Sequence, residues 1–438
     1  MIAIGGIIGA GLFVGSSTAI ATAGPAILGS YALAGLVILL VMRMLSEMAV
    51  LRPGAGAFTE FARVGLGDWA GFTAGWLYWY FWVLVVAVEA IAGAIILSGW
   101  IALAVWQIGV VLLAAMTGVN LLSTRSYGEF EFWFSSIKVA AIVAFILLTA
   151  GYLAGSGEAR QSVPSNLFGH GGLAPHGLLA VLAGVTSVIF ALCGAEIATV
   201  AAAESADPAR TVARLTGSVA LRILLFYLLS IALILCVVAW TDIRPGISPF
   251  ATALQRIGIP AAATIMNLIV LVAVLSCLNS GLYVTSRMLF TLAGRGDAPR
   301  ALAAIDRRGV PLRSILLGST AGYVALAASV ISPQRVFSFL VNASGATMLI
   351  VYLMVALAQL RLRSEAERKG EDIPIRMWFH PWASRATIAA MLAVLLAMAL
   401  TPGLMSQFYS SVALAGLVLA VHWLRRSGAA RRSKSGAT

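Results

Sequence analysis

The amino-acid sequence predicts an all-α polytopic membrane protein with twelve transmembrane helices. Hydrophobic residues make up 61% of the 438-residue chain and charged residues only 11%, and the mean hydropathy is +0.97. A soluble domain carries roughly 25% charged residues. The apolar residues fall in stretches of about 20, the length that a helix needs to cross the hydrocarbon core of a bilayer. Composition therefore excludes a large soluble enzyme.

The twelve helices follow one another with short connections. Their expected starts lie near Ile2, Pro25, Trp69, Ile101, Phe132, Pro175, Ala213, Pro260, Arg313, Val336, Arg385 and Met405. All belong to one transmembrane domain, residues 1–426, and residues 427–438 are expected to be a disordered cytoplasmic tail. Only about eight residues, roughly 12 Å of helix, precede the first glycine-rich interruption. Either this half-helix is unusually short or the true start codon lies upstream.

The basic residues indicate the orientation in the membrane. With a cytoplasmic N-terminus, 25 of the 29 Lys and Arg residues fall on the cytoplasmic side. This bias predicts that both termini are cytoplasmic. It also explains the net charge of +12 without a nucleic-acid partner. The basic residues near the C-terminus can in addition attract anionic lipid; they are Arg425, Arg426, Arg431, Arg432 and Lys434.

Two of the predicted helices, the first and the sixth, are interrupted by glycine, at residues 5–15 and 190–196. Glycine costs about 1 kcal/mol in a helix interior, so its clustering favours local unwinding. Unwound backbone at membrane depth is tolerated only where it is buried in protein or lines a cavity. The two interruptions occupy corresponding places in the two halves of the chain, a pairing typical of a transporter's substrate site. We therefore expect a carrier for a small polar solute.

The substrate site is expected at these interruptions. Amides freed where a helix restarts suit a carboxylate, and freed carbonyls suit an ammonium group. Tight packing through small residues explains the first interruption equally well when it is taken alone. Phe190 could cover the substrate or simply fill the core. The candidate substrate-binding residues are Ile7, Ile8, Gly9, Ala10, Gly11, Phe190, Cys193, Gly194, Asn279 and Ser280, the last two belonging to a polar stripe on the eighth helix.

Three ionisable residues within the predicted spans are candidates for a functional role: Glu89, Lys138 and Glu196. A charge at this depth must pair, titrate or face water. Glu89 shares one helical face with Tyr78, Trp82 and Val85. Lys138 lies about two turns from the cytoplasmic end of the fifth helix and could extend to the interface. Alternatively, it is a cation inside the bundle that replaces a coupling sodium ion and releases a proton during transport.

The remaining chemistry-bearing residues predict no further site. The four His residues are scattered, and Cys193, Cys236 and Cys277 lie in apolar stretches without metal or disulfide spacing. No arrangement typical of an enzyme active site occurs on neighbouring helices. We expect neither a metal ion nor an organic cofactor, no nucleic acid and no obligatory protein partner. The expected partners are the small-molecule substrate and the lipid bilayer.

Residues 8–17, 42–50, 120–133, 195–205 and 276–280 carry a family resemblance. They resemble the bacterial amino acid transporter family of the amino acid–polyamine–organocation superfamily, and the resemblance extends over nearly the whole chain. It implies a LeuT-type fold, with an inverted repeat of five plus five helices, residues 1–155 and 175–362, and two more helices at 384–426. It also implies multi-pass insertion in a bacterial plasma membrane and proton-driven uptake by alternating access.

Residues 76–85, 89–90, 376–378 and 381–382 are most similar to the 4-aminobutyrate permeases of that family. The resemblance implies that the substrate carboxylate meets the backbone at Gly9–Gly11, that its amine meets carbonyls near Ile7 and Phe190, and that Lys138 couples transport to protons. Glu89 and Glu196 match acidic positions of the family and are, with Lys138, the residues expected to take part in proton coupling. We expect an importer of 4-aminobutyrate or a related small amino acid. An exchanger without net proton movement and a sensor that does not transport remain alternatives.

Overall fold

A computed structural model describes residues 8–52, 58–122, 127–194, 196, 211, 225–306 and 309–435 of the chain. Every regular element within these ranges is helical. The α-helices are labelled in chain order: α1 Ser16–Ala23, α2 Ile27–Leu51, α3 Phe58–Leu66, α4 Asp68–Leu97, α5 Val105–Leu122, α6 Tyr127–Gly155, α7 Gly157–Phe168, α8 Gly177–Leu192, α9 Leu225–Val237, α10 Pro249–Arg256, α11 Pro260–Gly294, α12 Leu312–Ala328, α13 Pro333–Lys369, α14 Trp382–Leu400 and α15 Met405–Ser435.

Seven helical stretches of the described part are long and apolar enough to cross a membrane: Gly11–Leu51, Asp68–Leu97, Trp133–Gly155, Ala261–Gly294, Pro333–Lys369, Trp382–Leu400 and Met405–Ser427. The shorter helices α5, α8, α9 and α12 are also apolar. The prediction of an all-helical integral membrane protein is confirmed. Two expected starts, near Ile2 and Ala213, lie outside the described residues, so the count of twelve stays a prediction.

Most expected helix starts agree with the structure. Pro260 and Met405 are the first residues of α11 and α15. The first long apolar stretch is divided at Gly24, whose φ of 62° is left-handed, and at Pro25. Glycine tolerates that φ, and proline favours the first turn of the next helix. Helix α15 continues to Ser435, so residues 427–435 are helical where the sequence predicts a disordered tail.

Three short helices, α3, α7 and α10, lie in connections for which the sequence predicts no helix. Each of the last two begins at a serine whose hydroxyl caps the first turn. Ser156 Oγ accepts from Ala159 N–H at 3.2 Å, and Ser248 Oγ accepts from Ala251 N–H at 3.5 Å. Such caps satisfy amides that have no partner within the helix. These helices are too short to cross a bilayer, so a search for apolar spans misses them.

Helix α4 lies at the centre of the bundle and packs against α11, α12 and α13. Its residues from Ala70 to Ala94 are almost all buried. Helices α8 and α13 approach each other very closely, because a Cβ built on Gly345 would lie 1.8 Å from the carbonyl oxygen of Thr186. A small residue at such a crossing brings two backbones together. The crossing therefore holds the backbones of α8 and α13 in direct contact beside α4.

The C-terminal ends of α2, α11, α13 and α15 lie on one side of the bundle, with α3 and the start of α4. We call this side the basic end. Buried Glu47 of α2 holds it together: its carboxylate accepts from Arg363 (2.9 Å), from Gln359 (2.8 Å) and from the amide of Met377 (2.5 Å). Outside the helices, the guanidinium of Arg52 at 2.7 Å lowers the pKa of the Glu371 carboxyl.

Candidate functional site

The first interruption lies at the start of the described chain. Ile8 and Gly9 are not helical, and a helix begins at Ala10. Its first turns, Gly11–Gly15, are π-helical and lead directly into α1. Single π-helical turns inside α-helices are frequent at functional sites because they change the direction of backbone groups. Ile7, the remaining candidate of this segment, lies outside the described residues.

The amide at this helix start is bound to a carboxylate of the protein itself. Ala10 N–H donates to both oxygens of Glu89, Oε1 at 3.0 Å and Oε2 at 3.1 Å. Glu89 is 1% exposed. The N-terminus of a helix carries a partial positive charge, and its free amides bind anions. The group predicted to receive a substrate carboxylate therefore does bind a carboxylate, that of Glu89.

Two further helices bring polar groups to Glu89. Cys277 of α11 forms a side-chain hydrogen bond with its carboxylate, and Lys138 of α6 is close enough to act on it electrostatically. The ammonium of Lys138, which is fully buried, donates to Ser276 Oγ at 3.0 Å. Gly9 leaves room for this cluster, because a Cβ there would lie 2.7 Å from both Cys277 Sγ and Glu89 Oε1. Lys138 is thus inside the bundle and does not extend to the interface.

The second interruption follows α8. Cys193 is extended, with φ −64° and ψ 152°, and Gly194 has φ 114°. A side chain at Gly194 would be strained by this backbone conformation. Gly194 N–H donates to Oε1 (3.1 Å) and Oε2 (3.0 Å) of Glu196. The hydroxyls of Tyr78 and Tyr352 also donate to Glu196, at 3.2 Å and 3.1 Å.

The two interruptions use the same chemistry, a buried glutamate on a freed amide. Helix α4 connects them, since it supplies Glu89 to the first and Tyr78 to the second. These positions are 11 residues apart, about three helical turns, on one face. Trp82 and Val85 of that face are buried as well, as their spacing predicts. Helix α4 therefore links the two buried glutamates physically, through Glu89 itself and through Tyr78, which donates to Glu196.

The interruptions also touch each other. A Cβ on Gly11 would lie 2.6 Å from the Cα of Ala191, near the end of α8. One on Gly15 would lie 3.8 Å from the ring of Phe190, so this ring packs against the start of α1. The carbonyl of Ala191 accepts from the Tyr227 hydroxyl at 2.9 Å. The structure therefore brings Gly9, Ala10 and Gly11 together with Phe190 and Glu89.

The predicted polar stripe of α11 is divided between two environments. Ser276 and Cys277 face Lys138 and Glu89, whereas Asn279 accepts from Asn120 of α5 at 2.7 Å. Ser280 is buried on the same helix. Sequence reasoning missed Cys277, Tyr227 and Tyr352 as members of the site. Cys277 adjoins the predicted stripe, but nothing in the sequence pattern brings either tyrosine to a helix interruption.

Two cavities lie toward the ends of the bundle. The larger, about 890 Å³, is at the end opposite the basic end, and it is lined by Arg244, Pro245, Ile247, Gln334, Arg335, Ser338, Phe339, Gly403 and Gln407. Ser338 also contacts Thr18 of α1, with 3.2 Å between the two hydroxyl oxygens. No group of three His, Cys, Asp or Glu side chains in the described ranges could hold a metal ion.

The sequence and the fold are both similar to those of known transporters. A family model described as amino acid permease matches residues 1–433. The chain is 45% identical over 422 residues to the gamma-aminobutyric acid permease of Bacillus subtilis, covering 96% of this chain and 90% of that protein. It is 43% identical over 432 residues to the gamma-aminobutyric acid permease of Escherichia coli, covering 97% and 92%. The crystal structure of the Eremococcus coleocola manganese transporter matches with a TM-score of 0.59, covering 96% of this chain and 91% of that one; at 13% identity the match concerns the fold alone.

Proposed function

The chain belongs to the amino acid permease family, and from this membership we propose that it is a proton-coupled importer of amino acids. Its substrate is 4-aminobutyrate or a related small amino acid. The support comes from relatives named as permeases of gamma-aminobutyric acid at 43% and 45% identity over nearly the whole chain. These relatives favour a transporter over an enzyme.

The proposal includes the complete architecture. Twelve helices cross a bacterial plasma membrane, ten of them form a LeuT-type inverted repeat, and the first and sixth are broken. Both termini are cytoplasmic, so the basic end faces the cytoplasm. The excess of Lys and Arg at that side supports this orientation. Protons are the coupling ion, no cofactor takes part, and the partners are the substrate and the lipid bilayer.

One observation carries the site assignment: the Ala10 amide holds the Glu89 carboxylate at 3.0 Å and 3.1 Å. An incoming substrate carboxylate needs the same donor. Two anions on one buried amide repel each other strongly at low dielectric. Protonation of Glu89 removes this repulsion and frees the amide. Substrate binding and proton uptake therefore favour each other at this position.

Lys138 supplies the balancing charge. Its ammonium is buried beside Glu89 and bound to Ser276. Neutralising Glu89 leaves this cation without its compensating anion until the substrate carboxylate arrives or Lys138 loses a proton. The substrate ammonium is assigned to carbonyls near Ile7 and Phe190. The Glu196 carboxylate, held by two tyrosines, fixes the backbone of the second interruption.

The decisive experiment is uptake of labelled 4-aminobutyrate by the purified protein in liposomes that contain no substrate. An inward proton gradient alone is expected to drive accumulation. Accumulation only after preloading with amino acid would show an exchanger instead. Tight binding with no flux in either condition would show a sensor. Competition by the common amino acids against the labelled substrate then defines the specificity.

A further inference from the structure

The second cavity, of about 490 Å³, lies at the basic end, away from the candidate substrate site. It is enclosed by the start of α4, the segment that follows α11, and α15. Its lining residues are Phe72, Trp76, Asp297, Ala298, Pro299, Leu417, Val418, Val421 and Arg425. The volume falls within the range of about 300–1,000 Å³ that is usual for ligand pockets. All but two of the lining residues are apolar.

The wall formed by α15 borders the lipid. Leu417, Val421 and Leu424 follow one another at helical spacing and are 61%, 40% and 71% exposed. In a membrane protein such a surface faces hydrocarbon. Leu417 and Val421 also line the cavity, so the cavity adjoins the acyl chains of the surrounding lipid. Its natural occupant is therefore a chain of the membrane itself.

Arg425 lies where the cavity reaches the end of α15. Its guanidinium donates to the backbone carbonyls of Asp297, at 2.8 Å, and Gly296, and it lies over the Phe72 ring with 5.3 Å to the centroid. These partners fix its position but do not neutralise its charge. The Asp297 carboxylate, the one acidic group of the lining, is paired with Arg63 at 2.5 Å.

The surrounding sequence makes this region strongly basic. Among the described residues, the segment that follows α11 carries Arg295 and Arg300, and α15 carries Arg425 and Arg426. Basic pockets between membrane helices bind anionic headgroups, each nearby Lys or Arg contributing about 1 kcal/mol. The apolar part of the cavity matches an acyl chain, and the guanidinium at its end matches a negatively charged headgroup. Together they match an anionic phospholipid.

We propose that this cavity is a binding site for one anionic phospholipid, with an acyl chain between α4 and α15 and the phosphate group at Arg425. None of its lining residues belongs to the candidate substrate site. It would anchor α15, whose membrane-spanning part is mostly exposed, against α4. Occupancy does not depend on which amino acid the protein carries.

The test measures lipid retention by the full-length protein in detergent, by native mass spectrometry with phosphatidylglycerol or phosphatidylcholine of identical chains. The wild type is expected to prefer phosphatidylglycerol. Arg425→Gln is expected to weaken its binding about fivefold, the equivalent of about 1 kcal/mol, and to leave phosphatidylcholine binding unchanged. Val418→Trp, which fills the cavity, is expected to weaken the binding of both lipids.

The matched control is Arg385→Gln. Arg385 is an exposed arginine at the same end of the bundle, near the start of α14, and it stacks on Trp382. Equal losses in the two arginine variants would reveal attraction to the surface only and would overturn the site. Full retention of lipid by Val418→Trp would also overturn the site. If Val418→Trp does not fold, Val421→Phe repeats the test. A wild type without lipid preference would also contradict the proposal, whatever its transport activity.

Discussion

Glu89 and Glu196 are both buried glutamates that bind a main-chain amide, but their other partners differ. Glu196 receives hydrogen bonds from two tyrosine hydroxyls in addition to Gly194 N–H. Glu89 has the Cys277 thiol, a weaker donor, and the nearby charge of Lys138. Several strong donors stabilise the charged form of a carboxylate more than one amide and a thiol do. We therefore expect Glu89, and not Glu196, to be the residue that exchanges a proton during transport.

The first prediction concerns Glu89→Gln, which keeps the size of the side chain but cannot titrate. We expect the pH dependence of uptake to flatten and accumulation driven by a proton gradient to fall at least about tenfold, because a hydrogen bond to a charged group contributes about 1.5–3 kcal/mol. Initial rates of labelled uptake between pH 5 and pH 8 measure this. Glu158→Gln, at an exposed acid on α7, is the control. Unchanged kinetics in Glu89→Gln would reduce Glu89 to a packing role.

The second prediction concerns Lys138→Ala. Removal of the buried ammonium leaves Glu89 without its balancing charge, so we expect proton-driven uptake to be uncoupled or lost while the protein still folds. Concentrative uptake and counterflow exchange are compared in the same liposomes, with size-exclusion chromatography as the measure of folding. Persistence of the wild-type pH dependence in this variant would remove Lys138 from the mechanism.

At the scale of the helices, close crossings depend on single glycines. Gly345 of α13 lies against the Thr186 carbonyl of α8, with no space for a methyl group. Gly416 of α15 has nothing within 4 Å of a built Cβ. Both are helical glycines, so helix propensity favours alanine at each by about 1 kcal/mol. The two positions thus differ only in what the new methyl group meets.

From this contrast we expect opposite effects of the same substitution. Gly345→Ala is expected to destabilise by about 1–3 kcal/mol through overpacking, and Gly416→Ala to be neutral or slightly stabilising. Thermal unfolding of the purified variants in one detergent measures both. A Gly345→Ala variant as stable as the wild type would show that α8 and α13 are not in the close contact described here.

The helices show how far the sequence alone leads. Long apolar stretches predict the starts of α4, α11 and α15 within a few residues, because burial in hydrocarbon dominates there. The short helices α3, α7 and α10 were missed because none is long enough to form an apolar span, and only α7 and α10 begin at a serine cap. At the site, the clustered glycines of residues 5–15 and the single Gly194 located the two interruptions. That Glu89 itself occupies the Ala10 amide could not be predicted, since it depends on the rotation and height of α4 relative to α1.

At the scale of the whole molecule, Glu47 joins α2, α13 and the segment before α14 at the basic end. The carboxylate is fully buried and Arg363 is 7% exposed. Leaving one partner of a buried ion pair alone costs about 3–5 kcal/mol. We expect Glu47→Ala to lower the free energy of unfolding by about 3 kcal/mol, the lower end of this range. The reason is that Arg363 keeps its ion pair with Glu367 at 2.7 Å. Unfolding in mixed micelles measures the loss. Glu365→Ala, which breaks an exposed pair with Lys369, is expected to change nothing measurable; equal effects would contradict the role of burial.

The opposite end of the molecule differs in charge and suggests how substrate arrives. Under the proposed orientation the external side carries four basic residues. Two of them, Arg244 and Arg335, line the cavity of about 890 Å³. Ser338, which also lines this cavity, contacts Thr18 of α1. Convergent positive charge in a cleft raises the local concentration of carboxylates and is screened by salt.

The double variant Arg244→Gln with Arg335→Gln is therefore expected to raise the KM for uptake at low ionic strength about tenfold and to match the wild type in high salt, with the maximal rate unchanged. Arg256→Gln, at the exposed last residue of α10 and outside the cavity, should leave KM unaltered. A rise in KM that persists in high salt would mean that the two arginines hold structure and do not attract substrate.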